Sequence, residues 1–354
     1  MTILKTDTVS GIGTEGTVFE GNITFDSLNY MTLPKGTTTQ SNRGRAVFFS
    51  GTISPTTTIV NTIDYIQIQT QGNAIDFGDM THSYRRNASG VAASSTRGIS
   101  AGGFSPSGSP SRVPTIQYVT IAITANAVDF GDLTISSSDN MGMSNDTRGV
   151  FAGAIDGSGN FQNNIDYITI ATTGNAADFG DQTSEAYVTG QGCGSPTRGI
   201  VGGGFNNTPA STTNKDYIEY ITFATTGNST DFGNLTFARR LPHAASSATR
   251  GLWAGGEGAA PTNVVNIIDY VTIASTGNAT DFGDSTVNGG GGGSSNGIRG
   301  VFGGGYGTHP GYGRLNLIEY VTIATTGNTK DFGDLTSIRS DTGCASDSHG
   351  GLTE

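Results

Sequence analysis

The sequence predicts an all-β protein built from a repeated four-stranded unit and arranged as a β-propeller. Three observations support this prediction. Glycine accounts for 55 of the 354 residues, apolar residues occur in short runs such as YVTIA and RGVFGGG, and three short motifs recur about every 50 residues. Short apolar runs interrupted by glycine and threonine are typical of β-strands, and no helical periodicity extends over ten residues. A fixed repeat period indicates an array of one supersecondary unit.

The composition disfavours several classes of function. The net charge is −11, and the 18 lysines and arginines are scattered along the chain. A surface that follows nucleic-acid phosphates needs clustered basic residues, so no nucleic-acid partner is expected. No apolar run approaches the length of a membrane span, and the start MTILKTDTVSGIG lacks the apolar core of a secretory signal. We therefore expect no membrane insertion.

Three anchors define the repeat: an Arg-Gly pair before an apolar run, a tyrosine in a Y-x-x-I strand, and the tetrapeptide DFGD or DFGN. The glycines are Gly44, Gly98, Gly149, Gly199, Gly251 and Gly300. The tyrosines are Tyr65, Tyr118, Tyr167, Tyr220, Tyr270 and Tyr320. The aspartates that open DFG are Asp76, Asp129, Asp178, Asp231, Asp281 and Asp331. Tyrosine and aspartate are always 11 residues apart, whereas the other two steps vary from 18 to 21 and from 19 to 22 residues.

The spacing predicts four strands in each unit. The constant step indicates a hairpin with a fixed register, turned at Thr-Gly-Asn, where glycine and asparagine would supply positive φ angles. The two variable steps contain the connections from strand 2 to strand 3 and from strand 4 to the next strand 1. Both connections lie on one side of an antiparallel unit, which we call the variable face. Length variation confined to one side is typical of a propeller.

The ends of the chain predict one further blade. Residues 1–28 and 335–354 add up to 48 residues, about one repeat. We therefore expect seven blades, with six as the alternative, closed by pairing of N-terminal and C-terminal strands, which would remove free sheet edges. The predicted boundaries are an attachment segment at 1–16 and a propeller at 17–354. Its repeats lie near 43–79, 85–132, 138–181, 187–234, 239–284 and 289–334, with a final blade from 17–41 plus 335–354.

The order GLWAGG, IIDYVTIA and an aromatic residue near the last strand resembles the kelch repeat. In that family a double glycine follows the second strand, a tyrosine lies in the third and a tryptophan in the fourth. Gly255 with Gly256, Tyr270 and Phe282 occupy those positions here. The resemblance covers about residues 17–354, and it departs from the family in using phenylalanine for tryptophan and in the repeated TGN. It implies a propeller and no particular function.

The DFG tripeptide also occurs in protein kinases, where its aspartate holds a metal ion. A kinase has one copy, together with an HRD-type loop and a glycine-rich loop, and both loops are missing from this sequence. Six copies at the repeat period indicate a structural role instead. We expect the phenylalanine to pack between sheets, the glycine to permit close backbone approach, and the aspartates to accept backbone N–H bonds.

The sequence predicts no catalytic residues, no metal site and no cofactor. Kelch propellers include a copper oxidase, which needs converging tyrosine and histidine ligands. The histidines His82, His243, His309 and His349 lie in different repeats and form no local pair. The two cysteines, Cys193 and Cys344, occupy equivalent positions six residues before a glycine, so we expect free, buried thiols facing a central channel. The run of five glycines at 289–293 is expected to be a flexible loop.

Candidate ligand-binding residues lie in the connections of the variable face, where aromatic side chains stand beside arginine and histidine. Such mixtures suit recognition of carbohydrate or protein, because rings stack and polar groups orient the ligand. The candidates are Tyr84, Arg85, Arg86, Phe161, Arg239, Arg240, His243, Tyr306, His309, Tyr312 and Arg314, with Phe205 in the same set of loops.

The segment GTVFEGNITFDSLNYMTLPKGTTTQ resembles parts of tailed-phage fibre and virion proteins, and the repeats are similar to kelch-type structural proteins of marine phages. The resemblance implies a non-enzymatic virion component, a tail fibre or capsid appendage assembled in the host cytoplasm. Its N-terminal segment would contact other virion proteins, and its propeller would bind a host-surface glycan or protein; a homo-oligomer is compatible with this. Two alternatives stay open: a carbohydrate-active or copper-dependent kelch enzyme, and an intracellular kelch scaffold.

Overall fold

The computed structural model describes residues 44–54, 58–84, 90–105, 111–183, 187–208, 211–259, 265–307 and 313–352. By its internal contacts the chain divides into two units, Met1–Thr38 and Thr39–Glu354, and only the second contains described residues. The predicted attachment segment and residues 17–41 of the predicted final blade lie outside this part. All the regular elements within it are β-strands, so the predicted all-β class is confirmed. None of the described residues belongs to a helix long and apolar enough to cross a membrane.

The strands follow the repeats. The first repeat contributes β1 (Arg45–Ile53), β2 (Ile59–Gln67) and β3 (Ile75–Asp79), and the second contributes β4 (Val91–Ala93), β5 (Arg97–Ala101), β6 (Val113–Thr120) and β7 (Val128–Ser138). The third contributes β8 (Met141–Ser144), β9 (Arg148–Asp156), β10 (Phe161–Thr169) and β11 (Ala177–Asp181). The fourth contributes β12 (Gln191–Gly194), β13 (Arg198–Gly202), β14 (Phe205–Thr208), β15 (Ser211–Asn214), β16 (Tyr217–Thr222) and β17 (Thr230–Asn234). The fifth contributes β18 (His243–Ser246), β19 (Arg250–Ala254), β20 (Ile267–Thr272) and β21 (Thr280–Asp284). The sixth contributes β22 (Gly292–Ser295), β23 (Arg299–Gly303), β24 (Leu317–Thr322) and β25 (Lys330–Asp334), and the chain ends with β26 (Arg339–Ser340) and β27 (Gly343–Ser346).

These strands form a propeller-like arrangement of small antiparallel sheets. Four of the sheets are separate blade-like units: β12-β13-β16-β17, β18-β19-β20-β21, β22-β23-β24-β25, and β1-β2-β3 with β26 and β27. The second and third repeats form a single eight-stranded sheet, because the long β7 continues far enough to pair with β9. The remaining pair, β14 and β15, forms a small separate hairpin in the fourth repeat.

The predicted seventh blade is wrong. The terminal strand β27 pairs with β1, with Ala46 opposite Ser346 and Phe49 opposite Gly343. It therefore completes the sheet of the first repeat and does not start another unit, and the predicted closure through paired N-terminal and C-terminal segments is not what the described residues form. The physical reason is that β1 would otherwise leave a row of unpaired N–H and C=O groups on its inner edge.

The constant 11-residue step gives a constant register, as predicted. In all six repeats the residue before DFG lies opposite the tyrosine, as Thr280 lies opposite Tyr270. The connection, however, is not a tight two-residue turn, because residues 273–279 separate β20 from β21. This loop reaches the preceding repeat, where the Gly277 amide donates to the Phe232 carbonyl at 2.7 Å.

The TGN motif works only partly as predicted. Gly277 has a φ of 156°, but the neighbouring asparagine does not have a positive φ. Its contribution is instead the side chain, since Asn278 Oδ1 accepts the backbone N–H of Asn234 at 3.1 Å. The equivalent bond forms at every repeat, including the one from Asp334 to Asn73 that joins the sixth repeat to the first.

The structural interpretation of DFG is confirmed for its phenylalanine and its glycine, and for its aspartate in the third and fifth repeats. Phe282 is buried, lies edge-on to Tyr270 at 5.9 Å, and packs against Val321 and Ile323 of the next repeat. A Cβ on Gly283 would lie 2.5 Å from the Gly327 carbonyl carbon, so the neighbouring backbone approaches too closely for any side chain. The first aspartate also caps its own turn, as Asp281 Oδ1 accepts the Gly283 N–H at 3.0 Å.

The Arg-Gly arginines join each sheet to the next. Arg250 lies 4.9 Å from the centre of the Tyr270 ring and donates to the Ile323 carbonyl at 3.0 Å. The other five repeats have the same arrangement, although in the first repeat the arginine is Arg45, which precedes Ala46 and not a glycine. In the sixth repeat, Arg299 donates to the Ile68 carbonyl of the first repeat at 3.2 Å. The contacts between successive repeats are therefore also present between the last repeat and the first.

The inner strands β4, β8, β12, β18, β22 and β27 line one narrow cavity of about 40 Å³, with room for a few water molecules. Cys193 and Cys344 lie on its wall as free, buried thiols, which confirms the prediction. Burial raises the pKa of Cys193 to about 12. The five-glycine run is not a flexible loop as predicted, because Gly292 and Gly293 form part of β22. A Cβ on Gly293 would lie 2.3 Å from the Ala244 carbonyl oxygen, so the strand is glycine-rich because its neighbours are so close.

Candidate binding surface on the variable face

Seven of the eleven predicted binding residues belong to the described part of the chain, and they fall into two groups. Tyr84, Arg239 and His243 are buried, whereas Phe161, Arg240, Tyr306 and Arg314 are partly exposed. The other four, Arg85, Arg86, His309 and Tyr312, lie outside the described residues.

Arg239 is not a surface residue, contrary to the prediction. Its side chain is fully buried and forms an ion pair with Asp269 at 2.9 Å. The guanidinium also donates to the carbonyls of Ile267 and Trp253, both at 3.0 Å. Burial lowers its pKa to about 10, although Asp269 acts in the opposite direction. Arg339 forms the equivalent buried pair with Asp64 at 2.9 Å, so this arginine has a structural role.

His243 and Tyr84 are also too deeply buried to bind a ligand. The His243 ring is fully enclosed, with its centre 5.9 Å from that of Phe302, and burial lowers its pKa to about 4. Tyr84 is 7% exposed and stacks on His82 with ring centres 5.6 Å apart. Burial also raises the Tyr84 pKa. Both residues lie where a connection leads into a sheet. From the sequence alone, such a position looks the same as one in an exposed loop.

Arg240 has the opposite environment. It forms an ion pair with Glu257 at 2.7 Å, and the two side chains are 38% and 24% exposed. Its guanidinium lies 5.3 Å from the centre of the Phe205 ring. Phe161 meets Phe205 edge-on, with ring centres 5.3 Å apart. Four separate segments of the chain therefore converge here, and two of the predicted residues, Phe161 and Arg240, come together.

A second group forms around Tyr306 and Arg314. Their backbones pair as an isolated bridge, and Arg314 Nε donates to Ser340 Oγ at 2.9 Å. Both side chains are partly buried. Burial raises the pKa of Tyr306, and Asp341 acts in the same direction. The two predicted residues of this loop are thus brought together beside a serine and an aspartate of the next connection.

A third group was missed by the sequence prediction. Phe104 and Arg112 form an isolated backbone bridge, the guanidinium lies 5.2 Å from the centre of the ring, and Arg112 Nε donates to Ser138 Oγ at 3.0 Å. A signal for it was present in the sequence. Phe104, Phe205 and Tyr306 each stand six residues after an Arg-Gly glycine.

These groups have a common composition, and we call them the aromatic–arginine clusters. They comprise Phe104, Arg112 and Ser138; Phe205, Arg240 and Glu257; and Tyr306, Arg314 and Ser340. All of them lie in connections of the variable face. Each brings together an aromatic residue, an arginine and an oxygen acceptor, a combination suited to binding a polar ligand. In the first two clusters the guanidinium lies beside the ring, whereas Tyr306 and Arg314 are joined through their backbones. No group of three or more potential metal ligands occurs among the described residues.

Comparison with protein-family models and with curated proteins gave no match.

Proposed function

We propose that this chain is a non-enzymatic structural protein of a tailed-phage virion, a tail fibre or capsid appendage. Its propeller would bind a host-surface glycan or protein through the variable face. The observation that supports binding is the presence of three aromatic–arginine clusters on the face whose connections vary in length. On the other side of the sheets, the bonds made by the TGN loops recur in every repeat, which is typical of a scaffold.

We further infer a kelch-like propeller of six blades. In this interpretation the eight-stranded sheet consists of two blades joined by the β7–β9 pairing. The hydrogen bonds from Arg299 to Ile68 and from Asp334 to Asn73 support this interpretation. They join the sixth repeat to the first in the same way as the equivalent bonds join each repeat to the next. The buried, unpaired thiols agree with assembly in a reducing host cytoplasm. The segment before the propeller would attach it to other virion proteins.

Two measurements test the proposed function. Mass spectrometry of purified virions should identify the chain as a particle component; its recovery only from a soluble host complex would favour the intracellular scaffold. Binding of the purified chain to host cells should fall at least tenfold for Phe161→Ala combined with Arg240→Ala. The matched control is Lys330→Ala, because Lys330 is an exposed residue at the start of β25. Equal loss of host-cell binding in the double variant and in the control would contradict a site on the variable face.

Metal analysis of the purified protein tests the enzyme alternative. A copper oxidase would need His243 or His309 as a ligand, and His243 is enclosed against Phe302. Stoichiometric copper in the purified protein, or glycan turnover abolished by changing either histidine, would replace the binding proposal.

A further inference from the structure

Residues 347–352, which follow β27, form a turn that lies across one end of the central cavity, and we call this turn the cap. A Cβ on Gly350 would lie 2.4 Å from the Ser247 carbonyl oxygen, and a Cβ on Gly351 would overlap the Ser144 carbonyl. The cap therefore packs against the ends of β18 and β8, which belong to the fifth and third repeats. These strand ends lie on the side of the sheets opposite the variable face.

At the variable-face end of the cavity, the backbone itself joins the connections that lead into successive inner strands. The N–H groups of Leu241, Gly290 and Asp341 donate to the carbonyls of Thr189, Leu241 and Gly290 at 2.7, 2.9 and 2.6 Å. Backbone groups of this kind do not titrate. The cap, in contrast, is held in place by a histidine.

His349 holds the cap through contacts that only its neutral form can make. Its Nδ1 accepts the Gly351 N–H at 3.1 Å. A backbone N–H can only donate, so the proton of the neutral ring lies on Nε2. Nε2 in turn lies 3.0 Å from the Ala93 carbonyl oxygen and 3.3 Å from Ser144 Oγ. A proton on Nδ1 would face the Gly351 N–H, so the imidazolium cannot keep that bond.

An exposed carboxylate lies beside the closed position of the ring. Asp146 comes two residues after Ser144, and its Oδ1 accepts the Ser95 N–H at 2.9 Å, two residues beyond Ala93. The carboxylate therefore lies close to both strand ends that His349 contacts. It offers a partner to the imidazolium outside the closed position.

The other charged and titratable groups around the cap do not compensate a buried imidazolium. On the cap itself, Asp347 Oδ1 accepts the Arg45 N–H at 2.9 Å. The thiols of Cys193 and Cys344 line the same cavity and stay neutral, because burial raises their pKa. Burial of the His349 ring lowers its pKa, although the Ala93 carbonyl and Asp146 act in the opposite direction. The arginines of the adjacent strand turns donate to carbonyls of neighbouring repeats; they are Arg97, Arg148 and Arg250.

We propose that His349 is a pH-sensitive switch that holds the cap closed over the cavity when the ring is neutral and releases the cap when the ring is protonated. Because the closed cap favours the neutral ring, it is most stable above about pH 6.5, the ordinary pKa of histidine. Its stability falls as the pH decreases from there through the lowered pKa of His349 in the closed state. Release opens this end of the cavity to solvent. The switch is independent of what the variable face binds.

Hydrogen–deuterium exchange of the full chain tests the switch. We expect the protection of amides in residues 347–352, corrected for the intrinsic exchange rate, to fall about tenfold between pH 7.5 and 5, while the amides of β12 and β19 stay protected. His349→Asn keeps an acceptor near the position of Nδ1, and His349→Gln keeps a donor near that of Nε2. Neither side chain titrates, so protection of the cap should not depend on pH in these variants. Asp146→Asn should shift release to lower pH, because it removes the charge that favours the imidazolium and keeps the Oδ1 acceptor.

Two control variants separate the histidine from other titrating groups. Asp347→Asn changes the carboxylate of the cap, and His82→Gln changes an exposed histidine of another segment, so both should retain the release. A wild-type cap that is equally protected at pH 7.5 and 5 would overturn the inference. An equal fall in the two His349 variants, or an unmoved midpoint in Asp146→Asn, would do the same. Loss of protection in β12 and β19 at the same pH would show unfolding of the sheets in place of release of the cap, and would also overturn it.

Discussion

At the scale of the residue, Arg239 and Arg240 show how much the environment of a side chain determines its role. They are neighbours in the chain, yet the first is fully buried against Asp269 and the second is 38% exposed beside Glu257. Removing one partner of a buried ion pair leaves the other charge uncompensated, whereas an exposed pair contributes little. We expect Arg239→Met to lower the free energy of unfolding by about 4 kcal/mol. We expect Arg240→Met to lower it by at most about 1 kcal/mol.

Urea unfolding of the two variants measures this difference directly. Equal destabilisation would mean that Arg239 is not buried with an ionised Asp269. A larger loss in Arg240→Met would remove the distinction between structural and ligand-binding arginines on which the candidate site depends.

His243 should make the stability of the fold depend on pH. Burial lowers its pKa to about 4, below the value of about 6.5 expected in the unfolded chain. Between these values the unfolded state binds the proton more readily, so stability is complete above pH 6.5 and falls as the pH decreases towards 4. The shift corresponds to about 3 kcal/mol.

Unfolding midpoints measured between pH 7.5 and 4 in wild type and His243→Gln should test this. The variant should lose less stability on acidification than the wild type, even if its stability at pH 7.5 is lower. His82→Gln is the control, because it makes the same substitution at an exposed histidine. Identical slopes for His243→Gln and wild type would contradict the buried neutral histidine.

At the scale of the element, the constant spacing of the repeat predicted the strand register and the packing role of DFG. It did not predict the seven-residue loop at residues 273–279, because a fixed length is equally compatible with a tight turn and with a longer loop held by its neighbour. Asn278 contributes through its side chain and not through a positive φ, and that distinction depends on a partner in another repeat. The burial of Arg239 could not be predicted either. Arg239 and Arg240 are adjacent in the chain, and no local sequence pattern distinguishes the buried arginine from the exposed one.

Two glycines of the same interface provide a matched pair of substitutions. A Cβ on Gly283 would lie 2.5 Å from the backbone of Gly327, whereas a Cβ on Gly327 meets nothing within 4 Å. Both have positive φ angles, 148° and 153°, so the conformational penalty is shared. We expect Gly283→Ala to destabilise the protein by about 3 kcal/mol or more and Gly327→Ala by about 1 kcal/mol.

Thermal and urea unfolding of both variants test the close approach between repeats. The second repeat already has Ala125 at the position of Gly327, which shows that a methyl group is tolerated in this loop. If Gly327→Ala were as damaging as Gly283→Ala, backbone conformation and not contact between sheets would explain the glycine of DFG.

At the scale of the whole molecule, the count of units was the least predictable property. The residues outside the six repeats add up to about one repeat, and their number alone cannot show which strand they complete. The partner of β27 is β1, so the C-terminal strand finishes the first unit. The chain then turns across the inner ends of other sheets, where His349 Nε2 lies 3.0 Å from the Ala93 carbonyl oxygen. A Cβ on Gly351 would overlap the Ser144 carbonyl, so this turn is packed tightly against the inner strands.

The two thiols can report in which order the sheets separate. Cys193 lies on β12 in the middle of the chain, and Cys344 lies on β27, the last strand. Burial raises the pKa of both thiols, that of Cys193 to about 12. Since the thiolate is the reactive form, the folded protein should react with a disulfide reagent at pH 8 at least about 10³-fold more slowly than the unfolded chain.

Chain ends open more readily than central strands, so we expect Cys344 to react first in mild denaturant. The single variants Cys193→Ser and Cys344→Ser assign the two rates, and Ser294 occupies the equivalent position in the sixth repeat, so serine is tolerated there. Equal rates for both thiols would mean that β27 separates from β1 only when all the sheets unfold together. The terminal strand would then be as firmly held as any internal one.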